Sequence, residues 1–142
     1  MLRLAMAGEP RYVLDERELH RTGPSYTIDS LLELSADGGA ADWFLVIGQD
    51  QYARLHTWHR WRELLPLVTL AVAGRAGETP QASPEVAALP HRAVAVPLPP
   101  MALSATDIRD RIAQRAPIEG LVPPAVARYI DQHHLYRGAS SN

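Results

Sequence analysis

An α/β fold with a mostly parallel sheet is predicted from three observations. Segments of strand character alternate with segments of helical period. Two of the strand segments, Trp43-Phe44-Leu45-Val46-Ile47 and Leu67 to Ala73, are continuous apolar runs, the pattern of strands buried on both faces of a parallel sheet. Each run delivers glycine at its carboxyl end, in Gly48-Gln49-Asp50 and Gly74-Arg75-Ala76-Gly77, where open α/β sheets receive their ligands.

The elements follow in order. Met1 to Ala7 reads as the end of an amphipathic helix, with Leu2, Leu4, Ala5 and Met6 apolar. Gly8-Glu9-Pro10 leads into a short strand expected over Arg11 to Asp15, and the charged run Asp15-Glu16-Arg17-Glu18 is expected to be a solvated face. Gly23-Pro24 breaks the chain, and Ser25 is placed to cap a helix carrying Ile28, Leu31, Leu32 and Leu34 that ends at Asp37-Gly38-Gly39. After the first buried strand a short helical region is expected around Trp58 to Leu65, then the second buried strand. Half of the twelve prolines fall between Pro80 and Pro100, which predicts an irregular crossing with one short strand, Ala93 to Val96. Helices from Ser104 to about Arg115 and from Pro123 to about His134 close the chain, and no internal repeat is visible.

With 142 residues, of which 46% are hydrophobic and 21% charged, the chain is expected to form one domain with one core. A net charge of −2 gives no general attraction to nucleic acid or to an anionic membrane, so recognition of phosphate must come from a local site. The absence of cysteine removes disulfides, thiol nucleophiles and cysteine zinc sites. The longest apolar run, Leu64 to Ala73, contains Pro66 and is too short to span a bilayer, and the first residues are too short for a signal peptide, so a cytoplasmic location is expected.

Ser104-Ala105-Thr106-Asp107-Ile108-Arg109 carries the clearest chemistry. It opens a helix after a proline-rich loop, with Ser104 as the cap and Asp107 in the first turn. The amides beyond a cap present partial positive charge to a polyphosphate, and Arg109 adds a fork of donors able to follow charge on phosphate oxygens. An ordinary surface helix can also begin Ser-x-x-Asp and carry an arginine. Trp58 and Trp61, three apart, read by their spacing as core residues before a ligand platform. His56 and His59 lack the third protein ligand that a zinc site needs, so no metal ligand set is assigned, and His133-His134 read as surface or capping residues. Two strand ends, Gly48-Gln49-Asp50 and Arg75, and one helix start, Ser104 to Arg109, are expected at one edge of the sheet.

These stretches together resemble bacterial nicotinate mononucleotide adenylyltransferase, a member of the nucleotidyltransferase superfamily with a Rossmann-like fold. The resemblance runs from Met1 to Arg137. It rests on Leu14-Asp15-Glu16-Arg17-Glu18-Leu19, Pro24-Ser25-Tyr26-Thr27, Ile47-Gly48-Gln49-Asp50, Thr57-Trp58, Leu103 to Arg109, and Tyr129-Ile130 to Leu135-Tyr136-Arg137, in that order and spacing. It implies transfer of AMP from ATP to nicotinate mononucleotide, with Mg²⁺, giving nicotinate adenine dinucleotide and pyrophosphate for NAD synthesis. It further implies that Ser104, Thr106 and Arg109 hold the ATP phosphates and the departing pyrophosphate. Thr27 and the backbone near Trp58 and His59 would bind the nicotinate carboxylate, with Trp58 stacked on the pyridine ring. Gly48 and Asp50 would serve the substrate, Asp50 through sugar hydroxyls. Arg75 matches the arginine of the family's Arg-Pro-Gly turn, where Ala76 stands in place of the proline.

One family feature has no counterpart. The family opens with a strand, a glycine-rich loop of the type Gly-Gly-Thr-Phe-Asp-Pro and a His-x-Gly-His, and none of His20, His56, His59, His91, His133 and His134 lies in such a context. The family's first strand-helix-strand unit, roughly thirty or more residues, is therefore expected to be missing. Residues 1–142 are therefore expected to be a single partial nucleotidyltransferase domain, its start assigned to an internal methionine. The missing strands belong in the middle of the family's sheet, so the chain alone is expected to fold poorly and to be inactive. Two other readings stay open: a pantetheine-phosphate type of adenylyltransferase, and a non-catalytic nucleotide-binding relative.

Overall fold

A computed structural model describes residues 1–38, 41–75, 78–99 and 103–137. Gly39, Ala76 and Gly77, expected at turns, lie outside the described residues. The chain divides into two compact units, Glu16–Pro100 and Met1–Asp15 with Met101–Asn142.

The larger unit is built on a parallel sheet in the order β1-β2-β3, from β1 (Trp43–Gly48), β2 (Val68–Arg75) and β3 (Arg92–Leu98). Residues pair in register from Trp43 with Val68 to Gly48 with Ala73, and from Thr69 with Arg92 to Arg75 with Leu98. All three strands run the same way, so the carboxyl ends of β1, β2 and β3 share one edge, as the apolar runs and their glycines predicted. Parallel strands need crossovers, and these carry α3 (Gln49–Ala53), α4 (Trp61–Leu64) and α5 (Pro84–Ala87). Pro97 sits in β3, the outer strand, where a missing amide costs no ladder bond on the open side.

Leu70 and Val72 of β2 face a core made with Ile28 and Leu31 of α2 (Thr27–Gly38), Tyr52, Leu55, Trp61, Leu64 and Val86. Thr69 and Ala71, on the opposite face of β2, are buried as well. Burial on both faces, expected for two strands, holds for β2 alone. In β1 the side chains alternate, with Ile47 buried while Phe44 is 60% and Val46 66% exposed. Val94 and Leu98 of β3 are exposed too. The apolar run of β1 thus reports one packed face and one bare apolar face, because among the described residues no element covers the second.

Other expectations are corrected locally. Arg11 to Asp15 forms no strand, and Tyr12 and Val13 stand exposed. The charged run is not simply solvated. Arg17 lies 3.6 Å from Glu33 and 3.4 Å from Asp37, and Arg21 is 2.9 Å from Glu33, tying the Arg17–His20 turn to α2. Ser25 does not cap α2, since its hydroxyl donates to the Glu18 carbonyl at 3.3 Å, and the Tyr26 carbonyl receives the first helical amides instead. The proline-rich crossing holds a short helix, α5, and a β3 longer than expected.

The smaller unit contains α1 (Leu2–Met6), α6 (Ala105–Ala113) and α7 (Pro124–Gln132), with α1 against α7. Val126 and Ile130 of α7 are its buried residues. Its packing is loose: α6, residues 115–122 and α7 enclose a cleft of 960 Å³ floored by Ile112, Ile118 and Ile130.

One-sided burial of the sheet predicts unequal costs for two truncations. Leu70→Ala should lose about 2–5 kcal/mol in urea unfolding, the range for an aliphatic side chain deleted from a closed core, whereas Phe44→Ala should stay within about 0.5 kcal/mol. Equal losses would place both faces in the core.

Candidate active site

The two motifs expected at the nicotinate end of the site meet in the larger unit. Gly23, at φ +105°, turns the chain into Pro24 in a conformation that side chains with a Cβ rarely adopt. The turn places Tyr26 just before α2, and the Tyr26 ring stacks on the His59 ring with centroids 4.0 Å apart and planes 25° from parallel. Thr27, the first residue of α2, is half-buried beside this stack.

The Thr57-Trp58-His59 turn is fixed from within and from outside. The Thr57 hydroxyl donates to the Arg54 carbonyl at 2.8 Å, which occupies it locally. Arg60 takes the left-handed conformation at φ 51°, an unfavourable state for a residue with a side chain. Its guanidinium holds Glu63 with two bonds, 3.0 and 2.7 Å, and reaches Asp29 in the first turn of α2 at 3.3 Å. The bond from Arg60 holds the Glu63 carboxyl below its ordinary value. The two tryptophans separate in role. Trp61 is 6% exposed and packs in the core under the Arg62 guanidinium, 4.5 Å from its ring centre, while Trp58 is half-buried at the edge of the same core.

A second group forms at the carboxyl end of β1. Gly48 ends the strand and precedes α3, and Asp50 in the first turn of α3 is exposed. Beside them a cleft of 580 Å³ is lined by Gln49, Val72, Gly74, Gln81 and Pro97 among others. The Gln49 carboxamide donates to the Gln81 carbonyl at 2.8 Å and accepts from the Gln81 amide at 3.1 Å. The Tyr52 hydroxyl lies 2.7 Å from His91 Nε2, and His91 Nδ1 lies 2.8 Å from the Leu89 carbonyl. Burial pushes the Tyr52 phenol up. Arg75 closes β2 with its backbone; its side chain and Ala76 lie outside what is described.

The motif expected to face phosphate belongs to the smaller unit. Ser104 caps α6 in a full capping box: the Asp107 amide donates to Ser104 Oγ at 3.1 Å, while the Ser104 amide and hydroxyl donate to the Asp107 carboxylate at 2.7 and 2.6 Å. The Ser104 hydroxyl is therefore engaged on both sides within the cap. Arg109 donates to the Thr106 hydroxyl at 3.1 Å, so these two side chains stand together on the exposed start of the helix. Among the described residues no group of three or more His, Asp and Glu could hold a metal ion.

Residues 1–111 match the family model described as cytidylyltransferase-like. A relative from Methylibium petroleiphilum is 51% identical over 96% of this chain and 66% of its own length. Relatives from Bordetella petrii and Chromobacterium violaceum are 44% and 41% identical, over 96% of this chain and 71% and 72% of their own lengths. All three carry the name "Probable nicotinate-nucleotide adenylyltransferase". The chain belongs to the nicotinate-nucleotide adenylyltransferases. It spans about two thirds of the length of these relatives. Two solved structures of the Plasmodium falciparum nicotinic acid mononucleotide adenylyltransferase share the fold. The complex with NaAD has a TM-score of 0.61 at 14% identity over 80% of this chain and 58% of that one, and the complex with APC has 0.60 at 14% over 88% and 64%. The expected α/β nucleotidyltransferase fold is thereby established.

Sequence reasoning about this adenylyltransferase chain did not single out Tyr26, Arg60, Tyr52 or His91. Tyr26 lay inside a quoted motif, and its stacking partner His59 was assigned through its backbone only. Arg60 carried no signal, because left-handed backbone and two acidic partners 3 and 31 residues away appear only in three dimensions.

The capping box predicts a titration. Bonds from the Ser104 hydroxyl and amide hold the Asp107 carboxyl below the ordinary aspartate value of 3.8. A carboxyl lowered by folding stabilises the helix start fully above that ordinary value, and the contribution disappears as the pH falls through the lowered one. Carbon-13 titration of Asp107 should show the lowered midpoint, and Ser104→Ala should move it back upward. An unchanged midpoint in Ser104→Ala would refute the cap as its cause.

Proposed function

We propose that the protein transfers AMP from ATP to nicotinate mononucleotide, forming nicotinate adenine dinucleotide and pyrophosphate in NAD synthesis. The observation that supports this best is the Tyr26–His59 stack, which brings Thr27 and the Trp58-His59 turn to one place in a chain of this family. There the Thr27 hydroxyl and the backbone at Trp58 and His59 receive the nicotinate carboxylate. The partly exposed Trp58 offers a face to the pyridine ring.

The acceptor phosphate attacks the α-phosphorus of ATP in line, and pyrophosphate leaves from the opposite side. The protein's part is positioning and charge neutralisation. Thr106 and Arg109, already joined at the start of α6, follow the charge that gathers on the departing pyrophosphate. Ser104 acts through the cap, by ordering the first turn whose amides face the phosphates. Gly48 and Asp50 hold the nucleotide at the carboxyl end of β1, Asp50 through sugar hydroxyls, and Arg75 serves the same edge from β2. Mg²⁺ would arrive with ATP and would offset charge on its phosphates; among the described residues no group of three or more His, Asp and Glu could hold it. On this reading both substrates are small molecules and the reaction takes place in the cytoplasm. No described helix is long and apolar enough to cross a membrane.

The reading is tested in the protein at the length of its relatives by pyrophosphate release with ATP and either pyridine nucleotide. kcat/KM should favour the acid over the amide, because the hydroxyl and amides at Thr27 and Trp58 suit a carboxylate. Equal efficiency, or preference for the amide, would overturn it.

Arg109→Ala should cost about 2–4 kcal/mol of transition-state stabilisation, as for the loss of one preorganised donor. Arg109→Lys should recover only part, since a point charge does not reproduce a planar fork. Unchanged kcat/KM in both variants would return Arg109 to the role of a surface charge.

A further inference from the structure

We propose that Gln49 is a positioning residue, which holds Asp50 at the carboxyl edge of the sheet by clamping its own side chain to the backbone of Gln81. The inference rests on the reading of Asp50 as a substrate-binding group and extends it to the residue before it.

Asp50 has little of its own to hold it in place. It is exposed, on a helix of five residues, too short to be stable by itself. The cap of that helix is Gly48, which offers no side-chain bond to the first turn. Order at Asp50 must therefore come from its neighbours. Gln49 provides it on the strand side: one carboxamide donates to the carbonyl and accepts from the amide of the same residue, Gln81, as a neighbouring strand would. Two bonds in one plane fix both the position and the rotation of the carboxamide. A single bond would leave it free to swing.

The far end of the clamp is itself anchored. Two residues beyond Gln81, the buried Ser83 caps α5 by accepting from the Val86 amide, and the Val86 side chain is fully buried in the core. The other end of α3 is tied to the same crossover. Leu89 O can only accept, so His91 Nδ1 carries the proton and Nε2 receives the Tyr52 hydroxyl. Tyr52 is 4% exposed, and its ring is part of the core. α3 is thus held to the β2–β3 crossover on both sides of Asp50, by Gln49 before it and by Tyr52 after it. Of the two ties the Gln49 clamp is the one next to Asp50 in the chain.

Hydrogen exchange in the protein at the length of its relatives reads the clamp directly. The Gln81 amide should be protected, and Gln49→Ala should remove that protection. Gln81→Ala, which leaves the backbone bonds in place, should keep it. Kinetics in the protein at the length of its relatives read the consequence. Gln49→Ala should raise the KM of one nucleotide substrate about five- to tenfold, the size expected for one misplaced hydrogen-bonding group, with kcat within about twofold and the melting temperature unchanged. Gln49→Glu should behave like Gln49→Ala, because its second oxygen faces the Gln81 carbonyl and cannot donate. Gln81→Ala should keep both KM values. The proposal is overturned if Gln49→Ala leaves both KM values unchanged while Asp50→Asn raises one, or if Gln81→Ala is as harmful as Gln49→Ala. If Asp50→Asn itself changes neither KM, the reading of Asp50 fails, and the role of Gln49 falls with it.

Discussion

Parallel pairing of β2 with a strand on each side is the constraint on which the larger unit depends. Because β1 and β3 both run in the direction of β2, every chain reversal must cross back over a face, and the carboxyl ends all arrive at one edge. Gly48, in register with Ala73, and Gly74, in register with Pro97, lie at that edge. The helices α3, α4 and α5 are too short to be stable alone. They are ordered by what they pack against, through Tyr52, Trp61, Leu64 and Val86 beneath the sheet.

The site inherits its rigidity from contacts between crossovers, not from regular structure. The Thr57 to Arg60 turn holds a left-handed residue, and two carboxylates from different elements keep it there. The Gly48 to Asp50 turn borrows a partner from the loop before α5. In both places a polar side chain supplies to the backbone what a longer helix or another strand would otherwise supply. Ser104 does the same for α6 through Asp107, on the smaller unit.

The bare face of the sheet carries Phe44, Val46, Val94 and Leu98, and β1 is an open edge among the described residues. An exposed apolar face with an unpaired edge is the arrangement that soluble sheets ordinarily cover. The chain spans about two thirds of the length of its relatives, and Tyr12 and Val13, in the segment expected to be a strand, are exposed as well.

The sequence by itself determined the layer class, the direction of the sheet, the two glycine-bearing strand ends and the start of α6, because each is written in short-range pattern: apolar runs, breakers and a Ser-x-x-Asp cap. It also carried the family, through motifs whose order survives without any fold. Which strand is buried on both faces was not legible. Trp43 to Ile47 and Leu67 to Ala73 are equally apolar, and only their places in the order β1-β2-β3 separate an outer strand from a central one. The same holds for Trp58 against Trp61, alike in sequence and divided by which side of a turn meets the core. Tyr26 on His59, Gln49 on Gln81 and Tyr52 on His91 were decided by tertiary structure alone. A hydrogen bond or a stack needs two groups within a few ångströms, and partners 32 to 39 residues apart leave no periodic trace along the chain.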